Sequence, residues 1–349
     1  IKPMKAVVLT GIKKMELRNV PDPVIKNPVD VKIKMSVAGI CGSDIHYYTW
    51  GNIGSQVVKY PFTVGHEGSG VIVETGPAVK HLKPGDKVAI DPAMPCFECD
   101  QCLSGRSHTC RKLKFLGCPE QAEGLLSEYI VIPETSCIKL PDNLTLDQGA
   151  LSEPLSIGLY SVRKSGDIKG KNIGILGFGP IGMSVFLTAR AEGAKAVYVT
   201  DKLPDRLAVA AREGATWTGN PLKDDVVSEI NKREPLGLDV VFECCGQQEA
   251  VDQAVEIMKP GGKIIVVGIP DLENWLIKVD RTRRYENTIL FIRRQVDSVE
   301  PVVEMMKSGR INTINMVTHR FPLEKTGEAF DFVADYRDGV MKAVIDIGQ

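Results

Sequence analysis

The sequence predicts an α/β protein, with a doubly wound parallel sheet in the second part of the chain and a mostly β region before it. Up to about residue 155, short β runs are separated by Gly, Pro and Asn. Beyond that point strands alternate with helical stretches, which is the signature of βαβ units. A glycine-rich turn between the first strand and the first helix of this second region supports the same fold class.

Each element follows from its local pattern. In the first region, apolar or alternating runs predict strands at Lys5–Leu9, Asp30–Val37, Gly70–Glu74, Lys87–Ile90 and Ser127–Ile132. In the second region, strands Asn172–Leu176, Ala196–Thr200 and Asp239–Glu243 precede helices Ile181–Glu192, Pro204–Glu213 and Glu249–Met258, and strand Lys263–Val267 follows. The last predicted elements are a β run at Thr288–Arg293, a helix at Ser298–Lys307 and a β run at Met341–Ile345.

Composition narrows the class of protein. The 349 residues are 43% hydrophobic, and 43 Lys+Arg against 44 Asp+Glu leave a formal charge of -1. This composition is that of a soluble globular chain of about two domains, without the basic surface expected for nucleic acid or acidic membranes. The apolar runs, such as Gly262–Ile269, are too short to span a bilayer. An odd number of cysteines and the lack of a visible secretory signal favour a reducing, cytoplasmic setting.

The glycine-rich turn, Gly177–Gly182, has the spacing G-x-G-x-x-G between a strand and a helix. In that context glycines allow a tight turn and close approach to a pyrophosphate at the helix N-terminus. Asp201 ends the next strand, 19 residues after Gly182, where a carboxylate can bind ribose hydroxyls and repel a 2′-phosphate, so NAD is favoured over NADP. A cofactor-free glycine turn is the structural alternative. The candidate coenzyme-binding residues are Gly177, Gly179, Pro180, Ile181, Gly182, Asp201 and Arg206.

Four of the nine cysteines lie within fifteen residues, in the pattern Cys96-x2-Cys99-x2-Cys102-x7-Cys110. Four thiolates can close a tetrahedral shell around a structural zinc ion. An iron–sulfur cluster is less favoured, because the last gap is seven residues and Arg111 follows it. We therefore expect a zinc-ordered lobe at residues 95–111. Of the other cysteines, Cys118, Cys137, Cys244 and Cys245 are expected to be bystanders.

A second potential metal set is dispersed along the chain: Cys41, the pair His66 and Glu67 between two glycines, and Glu153. Each residue alone is more often structural than functional. Together they supply thiolate, imidazole and carboxylate, which can hold a zinc ion and leave one position open for an alcohol oxygen. Their sequence spacing alone does not pair them.

In this order, the Cys41–Tyr47 segment, the Gly-His-Glu segment, the four-cysteine lobe and the dinucleotide turn resemble the zinc-dependent medium-chain alcohol/polyol dehydrogenases. The resemblance covers residues 4–348. It is strongest to the sorbitol dehydrogenase branch, because Glu153 stands where other alcohol dehydrogenases place a second cysteine ligand and because of the segment Val317–Glu324. It implies a GroES-like catalytic domain from residues 1–155 and 294–349, and a Rossmann domain at 156–293.

The resemblance also implies roles for the dispersed set. Cys41 and His66 are the implied ligands of a catalytic zinc, and the third ligand is either Glu67 or Glu153. Neighbouring residues of a regular strand point to opposite faces, so His66 and Glu67 can reach one ion only if the backbone turns, which Gly65 and Gly68 allow. One thiolate and one carboxylate neutralise the ion, whereas a second carboxylate would leave the site negative.

The implied reaction is reversible hydride transfer from a secondary hydroxyl of a polyol to NAD, which yields a ketose. Catalytic candidates are Ser43 and His46, as a proton relay, and Glu153. Substrate candidates are Tyr47, Phe115 and Arg293, although Arg294 follows where family members often carry Tyr.

Other functions of the same fold remain alternatives. A threonine 3-dehydrogenase or a 2,3-butanediol-type dehydrogenase would share the zinc and nucleotide motifs. A silent nucleotide-binding protein is the non-enzyme alternative, but such a protein is expected to lose the ligand set. The resemblance suggests a homotetramer, in which an apolar segment such as Thr288–Ile292 could pair edge to edge between subunits.

Overall fold

The structure, a computed structural model, describes residues 3–348, which form two compact units. The first unit contains the chain up to Glu153, together with Val299–Gly309 and the residues from Met316 onward. The second contains Pro154–Ser298 and Arg310–Asn315. Segments from both ends of the chain therefore fold into the first unit.

The elements alternate as the β-rich and βαβ patterns predict. The strands are β1 Pro3–Gly11, β2 Lys14–Pro21, β3 Asp30–Gly39, β4 Asn52–Ile53, β5 Gln56–Val57, β6 Glu67–Thr75, β7 Lys87–Ile90, β8 Ala93–Met94, β9 Lys114–Phe115, β10 Tyr129–Pro133, β11 Cys137–Lys139, β12 Asn172–Leu176, β13 Ala196–Thr200, β14 Trp217–Gly219, β15 Leu238–Glu243, β16 Met258–Val266, β17 Thr288–Phe291, β18 Val317–Pro322 and β19 Lys342–Asp346. The helices are α1 Gly42–Trp50, α2 Asp100–Leu103, α3 Leu146–Ser165, α4 Pro180–Ala191, α5 Pro204–Arg212, α6 Val226–Arg233, α7 Gln248–Ile257, α8 Val279–Arg284, α9 Val299–Lys307 and α10 Thr326–Ala334.

The first unit is built on a mixed sheet in the order β11-β7-β6-β3-β19-β18, with β10 also paired to β3. Only β18 and β19 run parallel within it; the other described pairs are antiparallel. Strands distant in sequence become neighbours here, because Gly39 of β3 pairs with Glu67 on one side and with Val344 on the other. This register brings residues from both ends of the chain to one place.

The second unit is built on a six-stranded sheet in the order β14-β13-β12-β15-β16-β17, and every pair is parallel. Counted within the unit, the order is 3-2-1-4-5-6, that of a doubly wound nucleotide-binding fold. The predicted Rossmann sheet is therefore confirmed. The order reverses at β12, so the loop after β12 lies at the topological switch point, where such sheets bind ligands.

Several elements lie outside the sequence predictions. The sequence patterns did not predict helix α1, the short strand β14 or helices α6 and α8. Helix α3 was also missed, because it has Pro154 in its interior, where proline usually ends a helix. Among the described residues, no helix combines the length and the apolar character that a membrane span requires.

Packing of α10 against α1 gives a test of the core in the first unit. Phe330 is fully buried, and its ring lies edge-on to Tyr48 with the centroids 5.4 Å apart. We expect Phe330→Ala to lower the free energy of unfolding by about 3–5 kcal/mol, because it leaves a cavity in the core. Phe97→Ala, at a phenylalanine that is 59% exposed in the same unit, is the control and should change stability little. Denaturant titration measures both; equal effects would contradict the assignment of Phe330 to the core.

Candidate functional site

Three potential metal ligands from separate segments meet in the first unit. Cys41 lies between β3 and α1, His66 precedes β6, and Glu67 is the first residue of β6. One ligand atom from each lies within 4.8 Å of the others, and His66 and Glu67 are buried. Gly65, with φ of +101°, places the chain in a conformation that favours glycine just before this pair. Both side chains therefore contribute to one cluster.

The carboxylate of Asp44, which is fully buried, ties the segments of this cluster together. One of its oxygens accepts the backbone N–H of Cys41 at 3.0 Å, and the other accepts that of Gly65 at 3.1 Å. The second oxygen also lies 3.4 Å from Nδ1 of His66. Such a carboxylate commonly orients a metal-ligating imidazole. Burial lowers the pKa of His66, but the negative charges of Asp44 and Cys41 outweigh it, and the pKa is raised well above its usual value.

Lys342 of β19 provides the positive charge in this part of the interior. Its Nζ donates to the two oxygens of Glu67 at 2.8 and 2.6 Å and to the carbonyl of Ile40 at 3.0 Å. Both side chains of the ion pair are 1% exposed. Burial alone would lower the pKa of Lys342, but the charges of Glu67 and Cys41 raise it above its usual value.

Glu153 of α3 is buried but lies outside the group of three ligands that the structure brings together. Burial and the nearby charge of Glu67 raise the pKa of Glu153 to about 7, although His66 and Lys342 act in the opposite direction. Glu153 therefore lies close enough to His66 and Glu67 for their charges to act on it.

These residues fit a zinc ion. Thiolate, imidazole and carboxylate are the donors that zinc accepts in proteins, and three protein donors leave a position for a further ligand. Of the two carboxylates left open by the sequence, Glu67 is the one that the structure groups with Cys41 and His66.

The four cysteines of the lobe at residues 95–111 converge on one point. Their Sγ atoms are separated by 3.5 Å (Cys96–Cys110), 3.6 Å (Cys99–Cys102), 3.9 Å (Cys99–Cys110) and 4.0 Å (Cys96–Cys102). A tetrahedron with Zn–S bonds of about 2.3 Å has edges of about 3.8 Å, so the arrangement fits a closed zinc site. Backbone N–H groups of Arg111 and Cys102 lower the pKa of Cys99 to about 6, which favours its thiolate form. Burial and the neighbouring thiols raise the pKa of Cys102.

Ion pairs reinforce the same lobe at its surface. Arg111 donates to both oxygens of Asp100 at 2.5 and 2.9 Å, and Lys112 pairs with Glu98 at 2.6 Å. All four side chains are exposed, so these pairs contribute little stability by themselves. A zinc ion held by the four thiolates would therefore be the main source of order for this loop.

The glycine-rich turn follows β12 at the switch point of the second unit. Gly177 has φ of +93°, and α4 begins at Pro180 with Gly179 as its N-cap. A Cβ atom at residue 182 would overlap the carbonyl oxygen of Gly177. The turn is therefore as tight as the sequence predicts, and it directs a helix N-terminus toward the space above β12.

Asp201, which follows β13, helps to hold this turn. Its two carboxylate oxygens accept the N–H of Phe178 at 2.7 Å and of Leu203 at 2.8 Å, and Nη1 of Arg206 lies 4.0 Å away. The guanidinium of Arg206 also lies close to Gly179, at 3.1 Å from the position of an added Cβ. The predicted acidic and basic residues thus flank the glycine turn.

Comparison with known proteins identifies the family. Residues 27–142 match the alcohol dehydrogenase GroES-like domain, and residues 180–308 match the zinc-binding dehydrogenase domain. The chain is 34% identical to sorbitol dehydrogenase of Bacillus subtilis, covering 98% of this chain and 97% of that protein, and 37% identical to sorbitol dehydrogenase of Rattus norvegicus, covering 93% and 91%. The chain belongs to the zinc-dependent medium-chain alcohol/polyol dehydrogenases.

A solved structure agrees with this assignment. An Escherichia coli oxidoreductase/dehydrogenase of unknown specificity superposes with a TM-score of 0.94 at 32% identity and covers 100% of both chains. As a medium-chain dehydrogenase, the protein is an oxidoreductase with a GroES-like and a Rossmann-type domain, and its two donor sets fit the zinc of this family. The family prediction and the fold prediction are confirmed.

Other residues predicted for this dehydrogenase lie as follows. Ser43 and His46 are half-buried, three residues apart on α1, and the ring of His46 contacts that of Trp50 with centroids 4.7 Å apart. Tyr47 and Phe115 are buried, and the Phe115 ring lies 5.5 Å from that of His66. Arg293 is exposed and belongs to the second unit. The structure therefore brings Phe115, but not Arg293, into contact with a member of the metal set within its own unit.

Three features of the site were not predicted. Asp44 lies within the quoted Cys41–Tyr47 segment, yet nothing in the pattern indicates its burial. Lys342 carried no signal, because an isolated lysine is normally a surface residue. Cys118, expected to be a bystander, accepts a hydrogen bond from Nε2 of Gln56 at 2.9 Å, and the hydroxyl of Tyr47 lies 4.0 Å from its sulfur.

The four-cysteine lobe gives a direct prediction. Replacing Cys102 by Ser should lower the zinc content by one ion per chain and make residues 95–111 sensitive to proteolysis, because the metal supplies the order of this loop. Cys137→Ser, outside both donor sets, is the matched control and should keep the wild-type zinc content. Elemental analysis and limited proteolysis measure the two effects. An unchanged zinc content in Cys102→Ser would contradict the assignment.

Proposed function

We propose that the protein is an NAD-dependent zinc dehydrogenase that oxidises a secondary hydroxyl group of a polyol to a ketose, reversibly. The observation that carries this proposal is the convergence of Cys41, His66 and Glu67 in a buried site of a chain whose relatives include sorbitol dehydrogenases. A zinc ion bound there would supply a Lewis acid for the hydroxyl group, and the nicotinamide would accept the hydride.

The residues of the metal set divide into ligands and supports. We assign Cys41, His66 and Glu67 as the ligands, with Glu153 as the neighbouring carboxyl group that faces the same site. Asp44 orients His66 through its contact with Nδ1. Cys41 is half-buried, whereas Asp44, His66, Glu67 and Glu153 are buried. Their burial limits the access of water, which strengthens the electrostatic interactions at the site.

Proton release needs a path from this buried site. We assign Ser43 and His46 to this path, since both lie on α1, which begins directly after Cys41, and both are half-buried. An imidazole side chain can accept a proton and pass it on to solvent. Phe115 and Tyr47 form the apolar and hydroxyl-bearing walls for the substrate, and Arg293 is assigned to bind substrate hydroxyl groups with its donors.

The coenzyme is assigned to the loop after β12. Gly177, Gly179 and Gly182 allow the pyrophosphate to approach the N-terminus of α4, where Pro180 and Ile181 begin the helix. Asp201 is assigned to the adenosine ribose, and its charge disfavours a 2′-phosphate. Arg206 lies beside both Asp201 and Gly179 and completes this binding region.

We also propose a homotetramer located in the cytoplasm, with residues 1–155 and 294–349 as the catalytic domain and residues 156–293 as the coenzyme domain. The two compact units differ from these bounds at residues 154–155, 294–298 and 310–315, which lie in the second unit. Strand β17 is at the edge of the parallel sheet and carries Phe291, which is 64% exposed. An open edge strand with an exposed aromatic side chain is suited to pairing with a second copy. Nine cysteines that form no disulfide are consistent with a reducing compartment.

A panel of alcohols tests the substrate class. With NAD, sorbitol and xylitol should be oxidised with higher kcat/KM than threonine or 2,3-butanediol, and removal of zinc by a chelator should abolish activity until zinc is returned. Preference for threonine or 2,3-butanediol would assign the protein to another branch of the family. Full activity in the absence of metal would contradict the zinc mechanism itself.

Coenzyme choice has its own test at Asp201. We expect Asp201→Asn to reduce the preference for NAD over NADP by at least about tenfold, because the change removes the charge that repels the 2′-phosphate but retains an acceptor oxygen. Asp205→Asn, an exposed aspartate in the first turn of α5, is the control for the same change in net charge. The readout is the ratio of kcat/KM for the two coenzymes; an equal ratio in all three proteins would refute the role of Asp201.

A further inference from the structure

A glycine in strand β3 of the first unit leaves space in which a buried ion pair forms between the two neighbouring strands. Strand β3 lies between β6, which carries Glu67, and β19, which carries Lys342. Gly39 of β3 pairs with Glu67 in register and has no side chain. A Cβ atom at residue 39 would overlap Oε2 of Glu67 and lie 3.2 Å from its Cβ. Any larger residue at this position would therefore displace the carboxylate.

The buried ammonium group of Lys342 has as many acceptors as it has N–H donors. Its Nζ has three donors, and three oxygens accept within 3.0 Å: the two of Glu67 and the carbonyl of Ile40, which immediately precedes Cys41. A buried ammonium is stable only with such partners. The lysine therefore connects the carboxylate to the backbone that carries the thiol ligand.

The carboxylate of Glu67 lies near potential metal ligands as well as near Lys342. One of its oxygens lies within 4.8 Å of the ligand atoms of both Cys41 and His66. Two carboxylate oxygens offer about four lone-pair positions, so the group can accept from the ammonium and still present a lone pair to a metal. The ammonium group of Lys342 attracts the same carboxylate electron density of Glu67 that a metal ion would use.

We propose that Lys342 is a positioning residue that shares the Glu67 carboxylate with the catalytic metal and thereby weakens it as a ligand, with Gly39 as the gap that makes the sharing possible. This inference rests on the proposed catalytic metal centre. It gives a physical reason for a site with two carboxylates: the charge of Glu67 is already balanced by Lys342, so Glu153 can also approach the metal without leaving the site with an unbalanced negative charge.

The test uses the full-length holoenzyme and the variant Lys342→Gln, which keeps hydrogen-bond donors but loses the charge. Freed from the ammonium, Glu67 should bind the metal more strongly. We expect the zinc ion that is not held by the four-cysteine lobe to be lost to a chelator at least about tenfold more slowly than from the wild type, in line with the size of effects at residues behind metal ligands. Cobalt substituted for this zinc should show a shifted visible spectrum. Lys342→Arg, which retains the charge, should restore both properties toward those of the wild type.

A double-variant cycle with Glu67→Gln shows whether Lys342 acts through the carboxylate. In the Glu67→Gln background, changing Lys342 to Gln should alter neither the rate of zinc loss nor the cobalt spectrum. A persisting effect would overturn the proposal, because Lys342 would then act by another route. Should Lys342→Gln not fold, Lys342→Met, with an unbranched apolar side chain of similar length, is measured in the same way.

Two failures can be told apart. If the wild type holds a single zinc ion per chain and Cys102→Ser holds none, the catalytic centre proposed above fails, and this inference fails with it. If the wild type holds two ions and Lys342→Gln loses the second at the wild-type rate or faster, with an unshifted cobalt spectrum, the inference alone is overturned. Two ions, slower loss and a shifted spectrum support it.

Discussion

The need to balance charge in a nearly water-free interior is the constraint on which the first unit depends. Glu67 and Lys342 are each 1% exposed, and Asp44 is fully buried. Unpaired, any of these groups would be expensive to bury. Each has specific partners instead: Asp44 takes two backbone N–H groups and His66, and Lys342 takes Glu67 and Ile40. The neighbouring strands must therefore keep one register, since a slip of one residue would reverse these side chains.

The two units solve different problems with glycine. At Gly39 the missing side chain leaves room for another residue's carboxylate to meet its lysine. At Gly177 and Gly182 the missing side chains let a strand turn sharply into a helix and leave the helix N-terminus accessible. The first use serves a charge that is already part of the chain, and the second serves the turn to which we assign the charged pyrophosphate of the coenzyme. An added Cβ would collide with the Glu67 carboxylate at residue 39, with Cys245 at residue 177 and with the carbonyl oxygen of Gly177 at residue 182.

Local patterns predicted much of this protein. Strands β7, β12 and β13 have the predicted bounds, because each is a short apolar run between turn residues. The geometry of the four-cysteine lobe and that of the glycine turn each depend on residues close together in the sequence. Both could therefore be predicted from short spacing patterns. Helix α3 was missed because Pro154 interrupts its local pattern, although packing holds the helix together. Helix α6 was missed for the opposite reason, since eight mostly polar residues give a weak signal.

The sequence by itself determined the fold class, the zinc-binding lobe, the dinucleotide turn and the identity of the donor side chains, because these depend on residue type and short spacing. Tertiary structure alone decided which donors meet. Glu67 and Lys342 are 275 residues apart, and only the placement of β3 between β6 and β19 brings them together. It likewise selected Glu67 rather than Glu153 as the carboxylate grouped with Cys41 and His66. The residues around Glu67 in the sequence do not indicate a partner so far along the chain. Such a pairing can be identified only when the order of the strands in the sheet is known.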